Sequence, residues 1–259
     1  MNETFLLIVI FVFGTMIGSF LNVVIYRLPR GKSVVFPSSH CTSCGYKIKW
    51  YENIPVFSYI FLKGRCKNCK TPISMRYPLI EVLTGFSAVA VYLKSGFSIE
   101  SVFYFIFLCL IISIIFIDID FRIIPDELNL IGFLTGLTFS LFREDFSILD
   151  AVIGSVVGAG FLYVVAYLYL KLRGIEGLGL GDVKMLAFVG TYLGWFGSLF
   201  TIFFGSVLGV LLGVGISLLK KKKYEGQLEI PFGPFLGVAS VVYLFFGEKI
   251  KDFYFGGMM

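Results

Sequence analysis

Histidine is almost missing from this chain: His40 is the single one in 259 residues. That removes the His-Glu-x-x-His helix of metalloproteases and leaves serine chemistry without a credible base. Charge is scarce too, at 15% Asp, Glu, Lys and Arg, where soluble domains average about 25%. No Gly-rich strand–turn–helix announces a nucleotide fold. No small-residue cleavage site follows the first apolar run. That run is too long for the core of a cleavable signal peptide and leads into basic residues, so the expectation is a retained helix. What is abundant is apolar: 57% of residues are hydrophobic and 18% aromatic. The composition reads as an all-α polytopic membrane protein.

Apolar runs cover roughly 5–26, 79–93, 102–121, 128–142, 151–170, 185–195, 198–219 and 232–247. A straight crossing of the hydrocarbon takes about 20 residues, so several runs are short. The stretch 185–219 is too long for one helix, and Gly194-Trp195-Phe196-Gly197 offers the turn that splits it. The expectation is about eight transmembrane helices, with seven as the alternative. The chain divides into a first transmembrane helix (1–26), a wet insertion (27–78) and a transmembrane core (79–259). If the insertion is cytoplasmic, eighteen of the twenty-two Lys and Arg fall inside, leaving Lys94, Arg143, Lys249 and Lys251 outside. The positive-inside rule therefore predicts an outside N-terminus.

Inside the insertion, Cys41-Thr-Ser-Cys44 and Cys66-Lys-Asn-Cys69 form two Cys-x-x-Cys pairs with 21 residues between them. Such pairs suit tetrahedral four-thiolate zinc, and a segment of roughly 50 residues is too small to bury much core without a staple. Two disulfides or a redox pair are the other readings. A reducing cytoplasm weighs against disulfides, and no strand–helix context suggests a redox motif. His40 adjoins Cys41 as an alternative ligand or, more simply, a solvated loop residue. Cys109, inside the third span, reads as a small buried hydrophobe.

Two aspartates sit at the edges of apolar segments: Asp118 in IIFIDIDFRIIPDELNL and Asp182 in GIEGLGLGDVKM. An ionisable residue at the bilayer is costly and is by default a functional candidate. Helix parity puts Asp118 at the inner end of the third span and Asp182 at the inner start of the sixth, so both carboxylates reach one face. Asp120, two residues on, points to the opposite side of a helix. Asp126 and Glu127 follow Pro125 and suit the first turn of the next helix. Two carboxylates that share one proton can hydrolyse a peptide bond without metal or covalent nucleophile, one as general base and one as general acid. Gly177, Gly179 and Gly181, lacking Cβ, let an extended substrate backbone come close.

Taken with GSFLNVVIYRLP at 18–29, WYENIPVFSYIFLKGRC at 50–66, RYPLIE at 76–81 and IPFGPFL at 230–236, these motifs resemble the bifunctional type IV prepilin peptidases, which are Gly-x-Gly-Asp intramembrane aspartyl proteases, over nearly the whole chain. The resemblance implies catalytic Asp118 and Asp182 and zinc ligands Cys41, Cys44, Cys66 and Cys69. It implies an enzyme of the bacterial inner membrane, working on its cytoplasmic side. Prepilins and pseudopilins would lose a short basic leader after Gly, and the new N-terminus, usually Phe, would be methylated with S-adenosylmethionine. Partners would be those substrates and the lipid bilayer, with no nucleic acid. The methyl-transfer half is associated with the insertion, making Glu52, Asn53, Gly64 and Glu81 candidates. The alternative for Trp50 to Pro55 is a packing platform that seats the zinc module on the helices. Rival readings are a peptidase without methyl transfer, a zinc-anchored scaffold of a secretion machine, or a proton-coupled transporter.

Overall fold

A computed structural model describes residues 2–175, 177–219 and 231–255, with backbone alone for 216–219. Lys220 to Lys223, counted among the eighteen inside, lie outside the described residues. Among the described residues the chain is helical, without a β-strand: α1 (Glu3–Arg27), α2 (Phe57–Phe61), α3 (Arg76–Ser95), α4 (Ile99–Phe121), α5 (Asp126–Ser140), α6 (Ile148–Arg173), α7 (Leu180–Leu219) and α8 (Gly233–Phe255).

Six of these are long and apolar enough to cross a membrane: α1, α3, α4, α6, α7 and α8. The other two expected spans are there in another form. At 15 residues, α5 is about 22 Å long, short of the hydrocarbon thickness of about 30 Å. Its run of apolar residues nevertheless forms one helix. The 40 residues of α7 are two helices joined at Gly194, whose φ of 72° breaks the helical path. A side chain is strained in that left-handed region, and a Cβ there would also press on the Phe146 ring at 3.0 Å. The turn expected at Gly194 is therefore real, although both halves keep nearly continuous helical hydrogen bonding.

Two compact units divide the chain, Met1–Ser113 and Ile114–Met259, with the boundary inside α4. In the first unit α1 packs on α3 through small residues. A Cβ on Gly14 would lie 2.8 Å from the Ala88 Cβ, and one on Gly18 would lie 2.7 Å from the Glu81 Cα. This is the small-residue contact that lets membrane helices approach closely where no hydrophobic force separates helix from lipid. Asn22 closes the pair, donating from Nδ2 to the Tyr77 carbonyl at 3.1 Å.

In the second unit α5, α6 and α8 all pack against α7. Gly154 of α6 and Gly190 of α7 bring two backbones into contact. Gly132 and Gly136 of α5 receive Phe188 and Thr191 of α7, and the Tyr192 hydroxyl donates to Thr135 at 2.9 Å. The glycines thus set how closely α7 is approached on two sides. Met185, Leu186, Phe188 and Val189 of α7 are fully buried.

Candidate active site and thiolate cluster

The second unit holds Asp118 on the last turn of α4 and Asp182 on the first turn of α7. They are 5% and 9% exposed. The two carboxylates lie close enough for the charge of Asp118 to act on Asp182. Each is met by the N-terminal end of a helix, where backbone N–H groups have no partner within the helix itself. Gly233 opens α8 and donates its N–H to Asp118 Oδ2 at 3.0 Å. Asp182 is the third residue of α7; its N–H donates to the Gly179 carbonyl at 3.2 Å, and its Oδ2 lies 3.4 Å from where a Cβ would stand on Gly179. Ile124 lies between them, 3.1 Å from where a Cβ would stand on Gly181 and 3.1 Å from one on Gly233.

The neighbouring acids separate cleanly from this pair. Asp120 is exposed. Asp126 takes both its oxygens to Lys184 Nζ at 2.7 Å and, with Glu127, occupies the first turn of α5. Of the three glycines expected to clear a path, Gly177 packs on the Tyr169 ring and Gly181 on Ile124. Only Gly179 meets nothing closer than the Asp182 carboxylate, at 3.4 Å. Gly233 was missed as a site residue, although it stands in the quoted IPFGPFL stretch. Its role depends on a contact 115 residues away.

In the first unit the four cysteines come together. The ligand atoms of Cys41, Cys44, Cys66 and Cys69 all lie within 4.8 Å of one another, and all are free thiols. The insertion builds this by using one turn twice. In each copy the first Cys donates its N–H to a carbonyl five residues on, Tyr46 or Thr71, at 2.9 Å. The residue four after that Cys is left-handed, Gly45 at φ 71° and Lys70 at φ 60°, and it donates back to the Cys carbonyl. Isolated bridges His40–Lys47 and Arg65–Pro72 close each loop. His40 is exposed, its Nδ1 3.0 Å from the Ser38 carbonyl, and is not part of the cluster. The Thr71 hydroxyl, bonded to the sulfur, and the Thr71 backbone draw the Cys69 thiol down to about 6. Cys41 is drawn down by the backbone of Cys44 and Ser43. Both shifts favour the thiolate, the form that binds metal. Cys109 is a half-buried residue of α4.

Glu52 ties the two turns together. It accepts from Lys67 Nζ at 2.6 Å, from the Tyr46 hydroxyl at 3.1 Å and from the Lys49 N–H at 3.1 Å. The hydrogen bond from Lys67 holds its carboxyl below the usual range. Glu81 of α3 accepts the Val56 N–H at 2.7 Å and so joins the insertion to the helices. The packing-platform reading fails for Trp50, which is 83% exposed; Glu52 and Glu81 hold the segment instead. Beside the cluster is a cavity of about 410 Å³, within this unit, lined by Glu52, Asn53, Glu81, Asn22, Tyr46 and Tyr77 among others. Gly64 is not on it. With φ 64° it forms a turn under Tyr59, whose hydroxyl would be 2.8 Å from an added Cβ.

Fold and sites together define a multi-pass membrane protein with a buried carboxylate pair in one unit and a four-thiolate cluster able to hold a metal ion in the other. The pattern of the type IV leader peptidase family matches residues 104–214, and that of the bacterial peptidase A24 N-terminal domain matches residues 12–95. A prepilin leader peptidase/N-methyltransferase of Aeromonas hydrophila is 35% identical over 95% of this chain and 92% of its own. One of Pseudomonas putida is 36% identical over 92% of this chain and 90% of its own. The chain belongs to the type IV leader peptidase family. No solved structure matches it.

Proposed function

We propose that the chain is a prepilin leader peptidase that also N-methylates its product, with Asp118 and Asp182 performing the cleavage. The observation that carries this is the pair itself: two buried carboxylates within electrostatic reach, each at a helix N-terminus, in a chain of this family. Such a pair holds one proton between its two members, since like charges this close do not both ionise readily. The ionised aspartate takes a proton from a water molecule, whose oxygen attacks the scissile carbonyl carbon. The protonated partner donates its proton to the carbonyl oxygen. Collapse of the tetrahedral species breaks the C–N bond, and the proton held by the first aspartate goes to the leaving amine. The Gly233 N–H fixes one Asp118 oxygen, and the Gly179 carbonyl holds the Asp182 N–H, so little reorganisation is needed as charge moves.

The four cysteines suit zinc: soft thiolate ligands at tetrahedral spacing, in two turns that a small insertion cannot hold by core packing alone. Its role there is structural, because all four ligand positions are filled by protein. For the second activity, the 410 Å³ cavity has the size of small-molecule sites, about 300–1,000 Å³. Tyrosine faces suit an adenine ring and carboxylates suit a ribose and a cation, so its residues fit S-adenosylmethionine. When bound, that molecule supplies an electrophilic methyl group on a sulfonium. Glu81 would take the proton that the substrate's N-terminal ammonium must lose, while Glu52, already engaged by Lys67 and Tyr46, would hold the wall.

The charge distribution supports an inner-membrane protein with the insertion and both aspartates cytoplasmic and the N-terminus outside. The test is purified full-length protein with a peptide carrying a basic leader and a Gly–Phe junction, with and without S-adenosylmethionine. Cleavage in both cases and a mass gain of one methyl only with the donor is the expected result. No cleavage would overturn the reading; cleavage without methylation would leave a peptidase alone.

A further inference from the structure

We propose that Asn129 is a substrate-binding residue of the peptidase, pairing its side-chain amide with the substrate backbone beside the scissile bond; this rests on the peptidase reading above. Asn129 is 4% exposed, and both Nδ2 and Oδ1 are buried with no hydrogen-bond partner among the described residues. A buried amide with neither end paired is a standing cost to the fold. Two apolar substitutes of similar volume, Leu and Met, would relieve it, so its retention in a core position needs another reason.

Its place supplies one. Asn129, Gly132 and Gly136 lie at i, i+3 and i+7 on α5, the stripe that meets α7. Along that contact Asp126 pairs with Lys184, Gly132 with Phe188 and Gly136 with Thr191. The two helices therefore run in parallel register, and Asn129 falls level with Met185 and Leu186. Both are fully buried and apolar, which is why the amide finds no partner in α7. Asp182 is one turn before them on the same helix, about 5 Å along its axis. The loop residue Ile124, which touches Gly181 and lies beside Gly233 at the Asp118 carboxylate, is five residues before Asn129.

The chemistry of the occupant follows. A substrate helix entering from the bilayer must unwind at the bond to be cut, and its freed N–H and C=O groups find no water or lipid partner there. An asparagine amide presents a donor and an acceptor side by side, and the N–H and C=O of one extended residue present the complementary pair on the same edge. Two parallel hydrogen bonds satisfy both at once.

The experiment compares full-length wild type with Asn129→Leu on the same basic-leader peptide, reading KM, kcat and Tm. The expected result is a KM raised about tenfold with kcat within about threefold, the size of effect from leaving a substrate group unpaired, and a Tm that does not fall. A second peptide carries an ester in place of the amide flanking the junction. It should weaken binding to wild type and leave the Asn129→Leu enzyme little changed. A variant with the wild-type KM, equal ester penalties in both enzymes, or activity lost together with Tm would each overturn the proposal while leaving the peptidase reading intact. A wild-type protein that does not cut the peptide would overturn both.

Discussion

The backbone N–H of Gly233 donates a 3.0 Å hydrogen bond to the carboxylate of Asp118, 115 residues earlier in the chain. A methyl group at Gly233 would sit 2.7 Å from Asp118 Oδ2 and 3.1 Å from Ile124 Cδ1. The contact fixes a buried acid with the end of α8, and it accounts for a glycine at a helix start where many residues would serve. Gly233→Ala should lower kcat for leader cleavage more than tenfold, about the loss on disturbing one preorganised donor. Methyl transfer to a pre-cut peptide should persist, since the site proposed for that chemistry lies in the other unit. Unchanged cleavage by Gly233→Ala would show that the contact is dispensable.

Asp118→Asn and Asp182→Asn should each abolish cleavage while expression and membrane insertion stay normal. The exposed Asp120, as Asn, should keep at least partial activity. A dead Asp120 variant beside an active Asp118 variant would reverse the assignment within the IDID stretch. Peptide cleavage measured against immunoblotted protein in membranes is sufficient.

The thiolate cluster predicts one zinc per chain by elemental analysis of protein purified without chelator. Stripping the metal should unfold the insertion, because binding energy at such a site is folding energy. The readouts are faster alkylation of Cys41, Cys44, Cys66 and Cys69 and loss of methyl transfer. Near-zero metal with four alkylation-resistant cysteines would indicate disulfides.

A basic leader approaching the aspartates would meet the exposed acids Asp120, Asp126 and Glu127. Reversing Asp120 and Glu127 to Lys should raise KM for a basic-leader peptide roughly fivefold at low salt, with kcat largely unchanged. The effect should shrink at high ionic strength. A loss of kcat without salt dependence would mean that these acids build the site instead of steering the leader.

The sequence by itself determined the class of the protein and most of its parts. Apolar runs separated by turns mark the helices, because the bilayer requires every backbone group in it to be satisfied locally. The break at Gly194 was legible because a glycine cluster interrupted a run too long for one crossing. The Cys-x-x-Cys pairs were legible because metal ligation imposes short local spacing, and the turn repeated at Cys41 and Cys66 is itself local. What only the tertiary structure decided depends on contacts between distant segments. Gly233 reaches Asp118, Glu52 joins Tyr46 to Lys67, Trp50 stays outside, and Gly177 and Gly181 meet Tyr169 and Ile124. Asn129 looks like an ordinary polar residue in the sequence. It becomes a candidate for binding substrate only when helix register sets it against Met185 and Leu186, because hydrogen-bond satisfaction is a property of the packed interior and cannot be read along the chain.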